Sequence, residues 1–383
     1  MAVLSTGHLA VDFAGGALPA LLPFLKDKFG LTYTLVAVIT LASALSGSVI
    51  QPLFGLWSDR RGAFWLRPIG VGLAGIGMGI AAASPSYWLV VLFVILSGLG
   101  TAAYHPEGSK FAAYASGRRR ASGMSLFAVG GNVGYGLGAL VTTPIVLWLG
   151  LKGGLLIAFP CVAVALGLLA LAPFLGTFVP ERDVSRRVPG EDQPWALAIL
   201  LTIVAFRSTA WFGLVTFIPL WERSLGHSKA YGGHLLSLML LVGGIGTLAA
   251  GPAADRFGRR VVLIASNLVA PPLILIFVVV GGIPGAFALA LVGVAITGTF
   301  GVTMVMSQEY LPRRIGMASG LSIGLSIGLG GIAAVILGAI ADSIDLRTAL
   351  YVCAAAPVAA LALCLFLPST RARRQLAPEV VSP

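Results

Sequence analysis

Charge is scarce in this chain. Of 383 residues only 14 are Asp or Glu and 25 are Lys or Arg, so charged residues make up 10%. A soluble domain carries roughly 25%. With 57% hydrophobic residues and a mean hydropathy of +0.96, the chain has too little polar surface to cover itself in water. A water-soluble globular fold is therefore excluded, and the medium must be lipid. Cysteine is also sparse. Cys161, Cys353 and Cys364 each lie inside an apolar run, with no CxxC pair, which excludes a disulfide framework. Two catalytic signatures are missing, HExxH and the Walker A loop. Their absence argues against a zinc protease and an ATP-driven machine, and no cofactor or metal is expected.

What is abundant is long apolar sequence and glycine, 50 residues of it. Glycine is enriched in membrane helices, where it lets backbones approach. A spanning helix needs about 20 apolar residues. That window selects twelve spans, near 5–25, 33–57, 66–84, 87–112, 121–148, 153–177, 195–220, 231–252, 261–281, 285–309, 317–341 and 348–367. The runs are too long, and alternate too little, for a β-barrel. The expected class is an all-α membrane protein. The N-terminal stretch MAVLSTGHLAVDF lacks a basic leader region, so it is read as the first span.

The net charge of +11 is dispersed in short clusters between apolar runs, not along one face, which argues against nucleic acid. With the N-terminus inside, 18 basic residues fall in inner loops, Arg67 among them, and 6 in outer loops. That asymmetry predicts an inner (plasma) membrane protein with both termini cytoplasmic.

The two halves of the chain echo each other. GLWSDRRG begins at Gly55 and GPAADRFGRR at Gly251; RASGMS begins at Arg120 and MASGLS at Met317. Between them lies a polar, Pro- and Arg-rich stretch. The reading is two pseudo-symmetric six-helix bundles, 1–177 and 195–383, joined by a cytoplasmic linker at 178–194. Duplicated six-helix units are an architecture of secondary transporters.

The motif GxxxDRxGRR, complete from Gly251 to Arg260 and partial at Gly55, resembles the signature of the major facilitator superfamily. GHLAVDF, LLPFLKDKFGL, QPLFGLWSDRR, YHPEGSKFA and FAVGGNVGYGLG, between Gly7 and Gly138, are similar to the fosmidomycin-resistance family of drug exporters. The resemblance implies proton-driven efflux of small molecules, anionic phosphonates included. It also implies that Asp59 with Arg60, and Asp255 with Arg256, form cytoplasmic gates against helix N-termini of the other half. Where that family tends to have Gly-Pro, this chain has Gly138-Ala139. A proton symporter importing a sugar or organic acid uses the same parts.

An ionisable side chain within a span costs about 2.5–3.5 kcal/mol or more if left alone, so each one asks for a partner. His8 and Asp12 are four apart and share a helix face. His105 and Glu107 flank Pro106, which is expected to bend the fourth span and turn both toward the first. These four are the candidate proton-coupling residues. As two His and two carboxylates they are also a conceivable metal set, hence a remote metalloenzyme reading. Arg207 falls near mid-membrane and needs an anion: Asp12, Glu107 or an anionic substrate. Trp211, one turn on, is placed to stack on that substrate, and Asn132 either bonds across helices or meets it. Glu309 is expected to pair with Arg313 at the surface. The partners expected are a small-molecule substrate, protons and membrane lipid, for a monomer.

Overall fold

A computed structural model describes residues 1–61, 65–116, 120–175 and 191–368. In lipid each backbone N–H and C=O must be satisfied within the chain, which leaves helices as the available form for runs like these. Among the described residues, twelve helical segments are long and apolar enough to span a bilayer. The helices are α1 (Ala2–Phe29), α2 (Tyr33–Ser48), α3 (Gln51–Arg61), α4 (Leu66–Ala83), α5 (Tyr87–Ala115), α6 (Arg120–Leu149), α7 (Ala158–Ala170), α8 (Ala172–Leu175), α9 (Pro194–Ser224), α10 (Lys229–Phe257), α11 (Arg259–Val279), α12 (Gly282–Tyr310), α13 (Ile315–Ser343) and α14 (Leu346–Cys364).

Two spans depart from simple helices. The second is broken into α2 and α3 at Val49–Ile50, because Pro52 has no N–H to offer the Ser48 carbonyl. The sixth opens with a 3-10 turn, Leu151–Ile157, before α7. By contrast α5 runs through Pro106 in one piece. Between α1 and α2 the chain reverses in three residues, Gly30 to Thr32. Gly30 takes a left-handed conformation (φ 61°), and the Thr32 hydroxyl accepts the Leu35 N–H at 3.2 Å.

Packing repeats between the halves. α1 lies on α6 as α9 lies on α13; α4 on α5 as α11 on α12; α2 on α5 as α10 on α12; α4 on α7 as α11 on α14. The halves meet along two seams, α2 against α13 and α6 against α10, themselves related by the same pseudo-symmetry, with α1 touching α9 between them. Of the expected linker, 178–190 lies outside the described residues. Its end is tied down: Gln193 N–H donates to the Tyr310 carbonyl at 2.7 Å, and Asp192 accepts from Arg313 N–H at 3.2 Å.

The bundle has a near end, which carries Met1, and a far end, which carries the α1–α2, α9–α10 and α13–α14 turns. Cross-seam bonds run from the far end to mid-height. Tyr33 and Thr34 meet Asp342, Lys229 meets Asp27 at 2.7 Å, Thr216 meets Thr40 at 3.4 Å, and Asn132 meets Thr247 at 3.3 Å. At the near end Asp255 and Arg256 are exposed.

Arg67 is a correction. It is not a loop residue but is fully buried in the first turn of α4, its guanidinium 3.8 Å from the Phe111 ring centroid.

Candidate functional site

A row of glycines on α6 brings its backbone against α1. A Cβ at Gly130, Gly134 or Gly138 would strike the carbonyl of Ser5, Leu9 or Phe13. On α1 itself a Cβ at Gly16 would strike the Tyr135 carbonyl. At Gly131 a Cβ would sit 2.5 Å from the His8 ring and 2.6 Å from Asp12 Oδ2, so the absent side chain is the space those two occupy. From the other side Tyr104 of α5, fully buried, donates its hydroxyl to the Leu4 carbonyl of α1 at 2.6 Å. α1 is thus clamped between α5 and α6.

His8, Asp12 and His105 converge there. His8 Nε2 is 3.3 Å from Asp12 Oδ2, and His105 Nε2 is 3.1 Å from Asp12 Oδ1. The rings of His8 and His105 meet edge-on with centroids 5.1 Å apart, and His8 stacks on Phe127 at 4.2 Å. The three side chains keep 14–26% of their surface exposed.

The outer ring nitrogens set the proton count. His8 Nδ1 lies 2.7 Å from the Phe127 carbonyl, which can only accept, so Nδ1 carries a hydrogen. A neutral ring then shows a bare Nε2 to the Asp12 carboxylate, lone pair against lone pair. One added proton turns that repulsion into a charge-assisted bond. His105 differs. Gln51 Nε2 donates to the Gly47 carbonyl at 2.6 Å and turns its other hydrogen to His105 Nδ1 at 3.4 Å. His105 therefore donates from Nε2 to Asp12 as a neutral ring. The cluster has room for one exchangeable proton, between His8 and Asp12.

Glu107 does not join them. It is buried and pairs with Lys110, 3.0 Å away on its own helix. Donor atoms of His8, Asp12 and His105 lie within 4.8 Å of one another, but the four-residue set that a metalloenzyme reading needs is not assembled.

A second centre lies in the other half. Arg207 of α9 is 3% exposed. Its Nη2 donates to Ser326 Oγ at 3.3 Å, Ser326 and Ser208 share a 2.8 Å hydroxyl bond, and the guanidinium lies 4.0 Å from the Phe300 centroid. Nε and Nη1 have no hydrogen-bond partner, and among the described residues no carboxylate pairs with it. The expected Asp12 or Glu107 partner is not there. Arginine does not shed its proton, so this is a buried cation with two donors to spare. By the offset of 196 between the repeated motifs, Arg207 corresponds to Val11, beside Asp12. The two halves thus carry opposite charges at a similar depth, although Arg207 and Asp12 are not equivalent positions of the repeat.

Residues 4–232 and 200–381 match the Major Facilitator Superfamily. This chain belongs to that superfamily. It is 31% identical to the Fosmidomycin resistance protein of Escherichia coli, over 97% of this chain and 93% of the relative. It is 30% identical, with the same coverage, to an uncharacterized MFS-type transporter, YfnC, of Bacillus subtilis. Among solved structures it superposes on an inward-facing, occupied bacterial homolog of the human lysosomal transporter Spinster with a TM-score of 0.79 at 15% identity, covering 96% of each chain. The FucP transporter in its outward conformation gives 0.61 at 18% identity, over 96% of this chain and 98% of that one. The likeness to these structures is one of fold. The protein is a multi-pass membrane transporter of the facilitator type.

The remaining sequence candidates of this facilitator fall as follows. Asn132 donates to Thr247 Oγ1 across the α6–α10 seam. Trp211 is half-buried against the core, one turn from Arg207. Asp255 engages no helix of the other half among the described residues, and Arg256 lies 5.3 Å from the ring of Phe257 beside it. The side chains of Asp59 and Arg60 lie outside the described set. Glu309 is bonded to Arg259 of α11, not to Arg313. Sequence reasoning missed Gln51, Tyr104, Phe127, Phe300 and Ser326 as site partners. Only Tyr104 carried a signal, as a bulky polar residue between small ones in GTAAYHPEG.

Proposed function

We propose that this facilitator is a proton-coupled exporter of small molecules, working by alternating access as a monomer in the plasma membrane with both termini cytoplasmic. The observation that carries the reading is the His8–Asp12 pair, whose geometry accepts one proton because His8 Nδ1 is already committed to the Phe127 carbonyl. The 14–26% exposure of the cluster lets that proton exchange with water.

The basic near end supports placing it in the cytoplasm. The halves are bonded at the far end while Asp255 and Arg256 stand exposed at the near end, an arrangement in keeping with a state open inward. Export rather than uptake is supported by the 31% identity to a protein named for drug resistance. Arg207, with two unpaired donors, supports a cargo bearing an anionic group, and its planar fork suits a carboxylate or phosphonate. Proton and cargo then bind in opposite halves, at equivalent heights. Each is positioned to bias the same rocking motion.

The test is flux in proteoliposomes under an imposed pH gradient, with a phosphonate as first cargo. Asp12→Asn should abolish gradient-driven movement in a protein that still folds. Cargo movement indifferent to the gradient in the parent protein would end the coupling claim.

A further inference from the structure

Asp342, at the far end of α13, belongs to no motif of the sequence. Its carboxylate crosses the seam to the first turn of α2. Oδ1 accepts Tyr33 N–H at 2.7 Å; Oδ2 accepts Thr34 N–H at 2.8 Å and the Thr34 hydroxyl at 2.6 Å. The first N–H groups of a helix have no partner within it, and they favour a negative charge. In α2 the Leu35 N–H is served by its own Thr32, and the Val36 N–H makes a helical bond to the Thr32 carbonyl. Those of Tyr33 and Thr34 are served by the opposite half of the protein.

Close approach makes this possible. One turn before Asp342, a Cβ on Gly338 would sit 2.8 Å from the Tyr33 carbonyl, so α13 reaches α2 only because that side chain is missing. A second tie stands nearby. Lys229 of α10 pairs with Asp27 of α1 at 2.7 Å and lies 4.4 Å from the Phe24 ring centroid. The Asp342 bonds are solvent-exposed, so water can replace them when the seam parts.

We propose that Asp342 is a positioning residue of the transport cycle: it latches the far gate, and that end opens only when its carboxylate releases the first turn of α2. The proposal rests on the alternating-access part of the functional reading and is independent of proton coupling and of the cargo.

The experiment is a distance measurement between spin labels at Lys152→Cys and Ile283→Cys, exposed far-end positions in opposite halves, on full-length protein in nanodiscs. It uses no pH gradient and no cargo. Cys161, Cys353 and Cys364 are buried, so the native thiols do not take the label. Removing a charge-assisted bond set of this kind should raise the open-to-closed ratio by roughly tenfold or more, so Asp342→Ala should add a longer-distance population. Thr34→Val, which removes one of the three bonds, should shift it less, and decides the matter if Asp342→Ala does not fold. Arg223→Gln, an exposed far-end change, should leave the parent distribution. The proposal is overturned if Asp342→Ala, or Thr34→Val in its place, matches the parent, or if Arg223→Gln moves it equally. Loss of gradient-driven flux with a normal latch response would remove the exporter reading and leave the latch standing.

Discussion

His8 Nδ1 lies 2.7 Å from the carbonyl oxygen of Phe127, and this bond fixes which face of the imidazole meets Asp12. A ring free to turn could satisfy the carboxylate with the hydrogen it already owns. This one cannot, so the contact with Asp12 asks for a proton from outside. His105, held by Gln51, makes no such demand. The two histidines are therefore expected to respond differently to substitution.

His8→Gln should keep the bond to the Phe127 carbonyl but lose the titrating nitrogen. Gradient-driven flux should fall at least roughly tenfold, the equivalent of one charge-assisted hydrogen bond. His105→Gln, which still donates to Asp12, should retain most of the coupling. Flux against external pH in proteoliposomes separates them; equal losses would mean that the proton is not held at His8.

Gly131→Ala places a methyl 2.6 Å from Asp12 Oδ2. Overpacking of this kind costs about 1–3 kcal/mol, and here the strain falls on the His8–Asp12 pair. The variant should fold with a lowered melting temperature and couple poorly. Gly301→Ala, where a Cβ meets nothing within 4 Å, is the matched control and should do neither.

Arg207→Met should be neutral for stability or raise it. Each unpaired buried donor costs about 1–3 kcal/mol, and Met removes two of them along with the charge. Thermal unfolding should show an unchanged or higher midpoint. In the same protein the stabilisation given by an anionic cargo should vanish. A strongly destabilised Arg207→Met would mean that the guanidinium is already satisfied and is not waiting for a ligand.

Asp345, between spans at the far end, accepts the Thr348 N–H at 2.6 Å at the start of α14. That bond to the backbone holds its carboxyl below the usual carboxylate range. A lowered folded value means that the contribution is complete above the unfolded pKa of about 3.9 and disappears as pH falls through the folded value. Asp345→Ala should therefore melt earlier than the parent at pH 7, with the gap closing only below about pH 4. A gap that closed between pH 5 and 7 would assign the effect to another group.

The fold was legible because lipid allows so little else. Runs of about 20 apolar residues became helices, and the echo of GLWSDRRG in GPAADRFGRR announced the repeat. The i,i+4 spacing of His8 and Asp12 was sound. Treating His105 and Glu107 as one pair was not. Residues two apart on a helix point to nearly opposite sides, so when His105 faces α1, Glu107 faces away and finds Lys110 instead. Glu309 and Arg313 were paired by the same count, but α12 ends at Tyr310, and a 3-10 turn carries Arg313 off the helix face while α11 supplies Arg259. Arg67 was counted as a loop charge because it stands at the edge of its span; burial against Phe111 is a tertiary fact. Asp342 and the Phe127 carbonyl were invisible for a common reason. Their partners, or they themselves, are backbone groups, and every residue has those.

The glycine row between α1 and α6 carries a last consequence. Main chain lies on main chain there, so there are no rotamers to exchange and nothing to slide past. On the proposed proton-coupled reading, a proton arriving between His8 and Asp12 is not absorbed by local rearrangement of that contact. Its effect must travel with α1 and α6 as one rigid body, and the places left to yield are the ones where side chains, not backbones, join one half to the other.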